Sequence, residues 1–315
     1  MTNYIRGDLL LYTNKGLIRI DKVSNSDLVY TSDNYSEIAE ITKHNVKGFS
    51  YLFKIKTIHN IDNYYISGNN KIYCIQNIPY DLKMKDCPNF IDENKRICNP
   101  SFINVNELTD FDYIGYPIIT TNTDNNDNND DDNNDDDKYR FQGLILLDQY
   151  IFNLNNNINK NTIGFLNKYL HNNNIPFEIY NNNISTSIKI DLKENPIVLN
   201  QEELLNLSTE NTKKLIKGFI EVNTVINTTN KNLFYFLKNL FMEVGILLSA
   251  NYINNNYVIK IPQSLEEPDN NYFIYNNYIW SKIKKIGKAD KYFGQLYIIK
   301  MEKNNNYLTE VGLIS

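Results

Sequence analysis

The sequence predicts an α+β protein in which an all-β domain is split by an inserted, pseudo-twofold α/β module. Three observations carry this expectation. Short strand-like segments fill both ends of the 315-residue chain, the middle repeats a helix-and-hairpin pattern, and an acidic low-complexity run separates the two textures.

In residues 1–118, LLLY and LIRI flank the turn signal TNKG at 13–16, and FKIKT, YYIS and KIYCI follow as alternating or β-branched segments separated by Asn, Gly and Asp. Residues 119–138 contain TDNNDNNDDDNNDDD, which has no apolar residue and repels itself, so a disordered linker is expected there. In 139–270 the apolar segment FQGLILLDQYIF precedes the helical TIGFLNKYL and the hairpin FEIYNNNISTSIKI. A second copy runs from LIKGFIEVNTVI through NLFYFLKNLFMEVGI, with its helix stop at Gly245, to NNNYVIKI, at a spacing of about 71 to 75 residues. Residues 271–315 return to strands in YIWSKIKKI, GQLYIIKM and NYLTEVGLI, and so complete the interrupted β domain.

Composition narrows the function classes. The chain carries 55 Asn, three Ala and a sevenfold excess of Lys over Arg, the imprint of an AT-rich genome such as that of a protist or large DNA virus. No apolar run approaches the roughly 20 residues that span a bilayer, and MTNYIRGDLL has no signal-peptide apolar region, so no membrane partner and a soluble, intracellular protein are expected. Cys74, Cys87 and Cys98 form no CxxC pair and His44, His59 and His171 are scattered, which argues against a zinc site. The net charge is -5, but the run Asp124–Asp137 alone holds eight Asp, which leaves the remainder mildly basic.

Several segments together resemble a known family. GDLLLYTNKGLIRIDKVSNSDLVYT is similar to the opening of a Hint (hedgehog/intein) domain, and FINVNELTDFDYIGYPI at 102–118 to the passage into an inserted endonuclease. GLILLDQYI and IKGFIEVNT resemble the two helices of a double-motif LAGLIDADG (DOD-type) homing endonuclease, and YIWSKIKKIG with LYIIKMEKNNNYLTEVGLIS resembles the closing strands of inteins. The chain thus resembles an intein with an inserted homing endonuclease, in a degenerate and freestanding form.

The resemblance specifies chemistry that can be checked at each position. Splicing needs an N-terminal nucleophile after an extein, whereas this chain opens on Met1 and Thr2. The helper motif TxxH is represented by SGNN, with Ser67 and Asn70 in place of Thr and His, and an amide shuttles no proton near neutral pH. Near the C terminus Ile298 stands for the family's Asp and Asn305 for its His, and Ser315 ends the chain before a His-Asn pair, so no protein splicing is expected.

In the endonuclease motifs, Asp148 takes the position of the metal-binding, catalytic aspartate and Asn223 is its expected inactive counterpart. Glu221 lies two residues away and rotates to another side of the helix. Gly143 and Gly218 keep the first small position of the helix contact, while Leu147 and Val222 replace the second and are expected to widen it. Phosphate contacts are expected from Lys282, Lys284, Lys285, Lys288, Lys291, Lys189 and Lys260. The expected function is double-stranded DNA binding with cleavage weak or lost, needing no cofactor, or Mg²⁺ if a residual metal-dependent endonuclease or nickase activity survives. The alternative is an exapted structural or protein-interaction component of a larger, virion-like assembly, without catalysis.

Overall fold

The computed structural model describes residues 3–76, 99–119, 133–147, 150–191, 199–265 and 272–315. Asp148, Cys87 and Cys98 lie outside the described residues. In chain order the first strands are β1 (Ile5–Arg6), β2 (Leu10–Thr13), β3 (Gly16–Arg19), β4 (Leu28–Tyr30), β5 (Tyr35–Phe49), β6 (Leu52–Thr57), β7 (Tyr64–Ser67), β8 (Lys71–Ile75), β9 (Ser101–Asn104) and β10 (Tyr113–Pro117). Then come α1 (Asn133–Ile145), β11 (Ile151–Asn155), α2 (Lys160–Asn172), β12 (Phe177–Asn181), β13 (Ser185–Ile190), α3 (Gln201–Leu205), α4 (Thr209–Val222), β14 (Val225–Thr228), α5 (Lys231–Met242), β15 (Ala250–Ile253) and β16 (Asn256–Lys260). The chain closes with β17 (Tyr272–Tyr275), β18 (Tyr278–Lys288), β19 (Tyr292–Met301), β20 (Tyr307–Thr309) and β21 (Gly312–Ile314).

The chain divides into two compact units. One comprises Met1–Thr120, Asn227–Lys260 and Pro268–Ser315; the other comprises Thr121–Ile226 and Ile261–Glu267. The division differs from a module running through 139–270, because α5 and the residues after it join the β unit. The physical reason lies in α5 itself, since Met242 and the following Leu247 are buried in the same core as Leu11, Ile72 and Leu313. Among the described residues no helix is long and apolar enough to cross a membrane.

The β unit is built on one large antiparallel sheet in the order β10-β18-β6-β7-β1-β19-β5-β4-β2-β20-β21-β8-β9. β10 pairs with β18 and also with β8, so the sheet turns back on itself and covers edges that would otherwise invite association. Its tight hairpins explain part of the asparagine content. Asn276 and Asn277 have φ of 51° and 62° between β17 and β18, and Asn254 and Asn255 have φ of 49° and 62° between β15 and β16. Paired left-handed residues suit the two-residue turn that matches strand twist, and Asn tolerates them better than other side chains with a Cβ.

In the second unit, β11, β13 and β12 form a three-stranded sheet in that order, and its inner residues Phe152, Leu154 and Ile188 share a core with Phe141, Leu144, Leu166 and Leu170. The acidic run is not loop throughout, because residues 133–137 open α1. Carboxylates at a helix N-terminus meet the positive end of the macrodipole, and Asp136 also pairs with Lys214 at 2.5 Å.

One buried group of the β unit makes stability pH-dependent. His59 is 1% exposed, its Nδ1 lies 2.6 Å from Ser281 Oγ, and Nε2 has no partner among the described residues. Burial first, then the Lys238 ammonium, push its pKa down to about 3. Between pH 6.5 and 3 the unfolded chain therefore binds more protons at this residue, so stability contributed above pH 6.5 is lost as pH falls, by about 2 kcal/mol at pH 5. Urea denaturation at pH 7.5 and pH 5 should show this loss in the wild type, and His59→Gln should be missing about that much of it.

Candidate nucleic-acid interface

The helix contact of the second unit is set by two glycines. A Cβ on Gly143 of α1 would lie 1.9 Å from the Leu215 carbonyl oxygen of α4, and one on Gly218 of α4 would lie 2.0 Å from the Arg140 carbonyl oxygen of α1. The reciprocity is that of a pseudo-twofold crossing, and the approach is one that only residues without a side chain allow. The widening expected from Leu147 and Val222 does not occur at this crossing. Leu147 falls in the turn beyond α1, and Val222 is the last residue of α4 and packs on the core of the unit.

Beyond the crossing, Glu221 accepts two hydrogen bonds from Arg140, from Nε at 2.8 Å and Nη2 at 2.9 Å, and a third from Thr162 Oγ1 at 2.8 Å. The Arg140 guanidinium in turn lies 4.0 Å over the Phe165 ring. Glu221 is thus committed to structure. Asn223 caps α4, with Nδ2 donating to the Phe219 carbonyl at 2.9 Å. An amide turned to cap its own helix supplies no carboxylate, and no group of three or more metal-binding side chains forms among the described residues.

The register of the β11-β13-β12 sheet places Ile151, Lys189 and Glu178 in one outer row and Asn153, Ser187 and Tyr180 in the next. Lys189 is the one cation of these rows, and its ammonium lies 3.5 Å from Glu178. This face is apolar and amide-bearing, with Ile151 and Tyr180 both more than half exposed. Lys260 ends β16, which belongs to the sheet β14-β16-β15.

The β unit gathers more charge. Where β18 pairs with β6, Lys285 stands opposite Lys56 and Gly287 opposite Lys54, so these lysines share one face of the pair. Burial and then the adjacent Lys284 pull the Lys56 ammonium below its usual pKa, with Lys54 adding to the effect and Asp62 opposing it. Lys288 ends β18, and Lys291 lies exposed in the connection to β19. Lys282 pairs in register with Tyr113 near the other end of β18. Sequence patterning overlooks Lys54 and Lys56. The alternation in FKIKT puts both on one face, but their opposition to Lys285 and Gly287 depends on a pairing with a strand far along the chain.

No protein-family model matches the chain, and no curated protein matches it. Among solved structures it is similar to the homing endonuclease I-DmoI. Structures of mesophilic variants of that enzyme give a TM-score of 0.30 at 13% identity, over 41% of this chain and 89% of the other. I-DmoI in complex with DNA and Mn gives 0.29 at 13% identity, over 41% and 90%, and its complex with DNA and Ca gives 0.30 at 13%, over 41% and 83%. The likeness is slight.

The remaining positions singled out in the sequence lie in the β unit. Ser67 and Asn70 are buried beside Tyr4, which leads into β1: Ser67 Oγ accepts from Tyr4 N at 2.9 Å, and Asn70 Nδ2 donates to Tyr4 O and to Ser67 Oγ, both at 2.9 Å. The Ser315 backbone exchanges hydrogen bonds with Lys71, at 2.9 and 3.1 Å. Residues 67–71 therefore hold both ends of the described chain. Ile298 pairs with Thr42 inside the β5–β19 ribbon. Asn305 is exposed, between Asn304, which donates to Thr31 and Asp33, and Asn306, which bridges Ser32.

Proposed function

We propose that the chain binds double-stranded DNA through the lysine face of its β unit, and that it is a relative of intein-borne LAGLIDADG endonucleases in which splicing is inactive and cleavage weak or lost. The observation that carries the binding is the convergence of Lys54, Lys56, Lys284 and Lys285 on the β6–β18 pair. Like charges held this close raise one another's energy, and a phosphate backbone relieves that repulsion while it releases condensed counterions. The loss of chemistry rests on the side chains at the relevant positions. Asn70 offers an amide fixed to Tyr4 where a proton shuttle would act, and Asn223 caps its own helix where a carboxylate would hold metal.

Retention of a duplex at graded salt tests this reading. The wild type should bind at low ionic strength, and replacing the four lysines by Gln should flatten the dependence of log K on log salt by about 0.9 for each lysine that meets a phosphate. With Mg²⁺ or Mn²⁺ the duplex should remain intact or be nicked slowly. An unaltered slope in the quadruple variant, or no retention by the wild type, would overturn the proposal.

One observation favours a second reading, a structural or interaction protein. On the outer face of the β11-β13-β12 sheet the single lysine pairs with Glu178, while Ile151 and Tyr180 face solvent. Such a face suits a protein partner better than a phosphate backbone.

A further inference from the structure

The β5–β19 ribbon carries a side-chain ladder that duplex binding at Lys54, Lys56, Lys284 and Lys285 does not use. Its register sets Lys43 opposite Tyr297, Asn45 opposite Gln295 and Lys47 opposite Phe293. Opposed residues point to the same side of an antiparallel pair, and successive rungs alternate, so these six side chains share one face while His44 and Val46 take the other. Phe293 is 70% exposed, so most of its ring meets solvent. Gly48, whose φ is +72°, lies near the Cε1 and Cζ atoms of that ring, each 3.7 Å from where an added Cβ would sit. The ring is thus left largely open to solvent beside bare backbone.

The charge around it is net positive. Lys43 and Lys47 are exposed and make no ion pair among the described residues; the Lys43 ammonium lies 5.6 Å from the centroid of the Tyr297 ring. Neither Ile41–Tyr51 nor Lys291–Met301 contains an acidic residue. Beside the Tyr297 end, Asp8 and Asp21 are each closed by their own arginine, Arg6 and Arg19. Toward the Phe293 end the connection after β18 adds Lys288 and Lys291 against Asp290. Tyr297 is 5% exposed and belongs to the core, so the open groups of the ladder are Phe293, Gln295 and Asn45 with Lys43 and Lys47, a set that matches the chemistry of an unpaired polynucleotide. Bases present π-faces to the ring, phosphates meet the ammonium groups, and base edges meet the amides.

We propose that this face binds single-stranded nucleic acid, with a base stacked on Phe293 and the strand's phosphates on Lys43 and Lys47. A duplex hides its base faces within the stack, so it makes no use of an exposed ring away from its ends. Lys43 and Lys47 stand about 13 Å apart along the strand, about four nucleotides of a strand stacked at roughly 3.4 Å per step. Because this ladder shares no residue with the duplex face, failure of either proposal leaves the other standing.

The test uses the full chain and a fluorescein-labelled oligothymidylate, with a duplex of equal length as the second probe and an oligouridylate as the third. Phe293→Ala should weaken single-strand binding roughly tenfold to a hundredfold while leaving the duplex unaffected, and Phe293→Trp should keep it. Lys43→Gln with Lys47→Gln should flatten the single-strand salt slope by about 0.7 for each phosphate that a lysine neutralises in the wild type. Equal dependence of the oligouridylate on Phe293 supports the same site. The proposal is overturned if the wild type does not retain the single strand, if Phe293→Ala binds it as the wild type does, or if Phe293→Ala weakens both probes alike. Circular dichroism and the melting transition of each variant establish that it is folded.

Discussion

Gly143→Ala should destabilise the second unit by at least about 2 kcal/mol, although the same change inside an unconstrained helix would stabilise it by about 1 kcal/mol. The added methyl would meet the Leu215 carbonyl oxygen at 1.9 Å, and a backbone carbonyl within a helix cannot rotate away as a side chain can. α1 and α4 would have to separate, and overpacking in a fixed core costs about 1–3 kcal/mol or more. Gly218→Ala should behave alike for the reciprocal reason, since its Cβ meets the Arg140 carbonyl oxygen at 2.0 Å. Separation would also stretch the bonds from Arg140 to Glu221, which run between the same two helices. Gly164→Ala supplies the control: it lies in α2 with nothing within 4 Å of the added methyl, so it should raise stability by about 0.5–1 kcal/mol. Urea melts of the three variants decide the matter. A neutral Gly143→Ala would mean that the helices do not approach as described.

Much of this helix crossing is legible in the amino-acid sequence. The two copies put Gly143 and Gly218 at equivalent points of similar apolar segments, and the hairpin at residues 13–16 and the strands after residue 271 announce themselves by alternation between turn residues. What escapes are features decided by distant partners. Lys54 and Lys56 read as ordinary polar positions of a strand until the register opposes them to Lys285 and Gly287. Phe293 sits just before the segment GQLYIIKM, and nothing local shows that its ring comes to lie beside Gly48. The acidic run looks unable to pack because its charges repel, yet its last residues open a helix whose N-terminal end favours negative charge. Assignment of α5 to the β unit is hidden most deeply, because a lysine in its middle reads as a solvent-facing position.

That lysine yields the largest expected effect. Lys238 is completely buried; it donates to the Glu310 carboxylate and, at 3.0 Å, to the His59 carbonyl oxygen. Glu310 lies in the turn between β20 and β21 and also accepts from Asn60 Nδ2 at 2.9 Å. Burial pushes the glutamate's pKa up and the lysine's down, and each charge opposes that shift in the other. Lys238→Met should therefore cost about 3–5 kcal/mol, because it leaves a carboxylate buried without its cation. The lone Glu310 should then relieve itself by keeping its proton. With the folded pKa raised above the ordinary glutamate value of about 4.3, the native state of the variant binds more protons than the unfolded chain, so its stability should fall as pH rises through that interval. The deficit against wild type should accordingly be larger at pH 8 than at pH 5. Combining Lys238→Met with Glu310→Leu should recover much of the loss, since an apolar pair of similar volume removes both desolvation penalties together. If the double variant recovers stability but its α5 amides exchange faster than those of the wild type, the ion pair serves to fix the helix in register on the β unit. If both single variants cost under about 1 kcal/mol, the two charges reach water and the pair does not hold the helix.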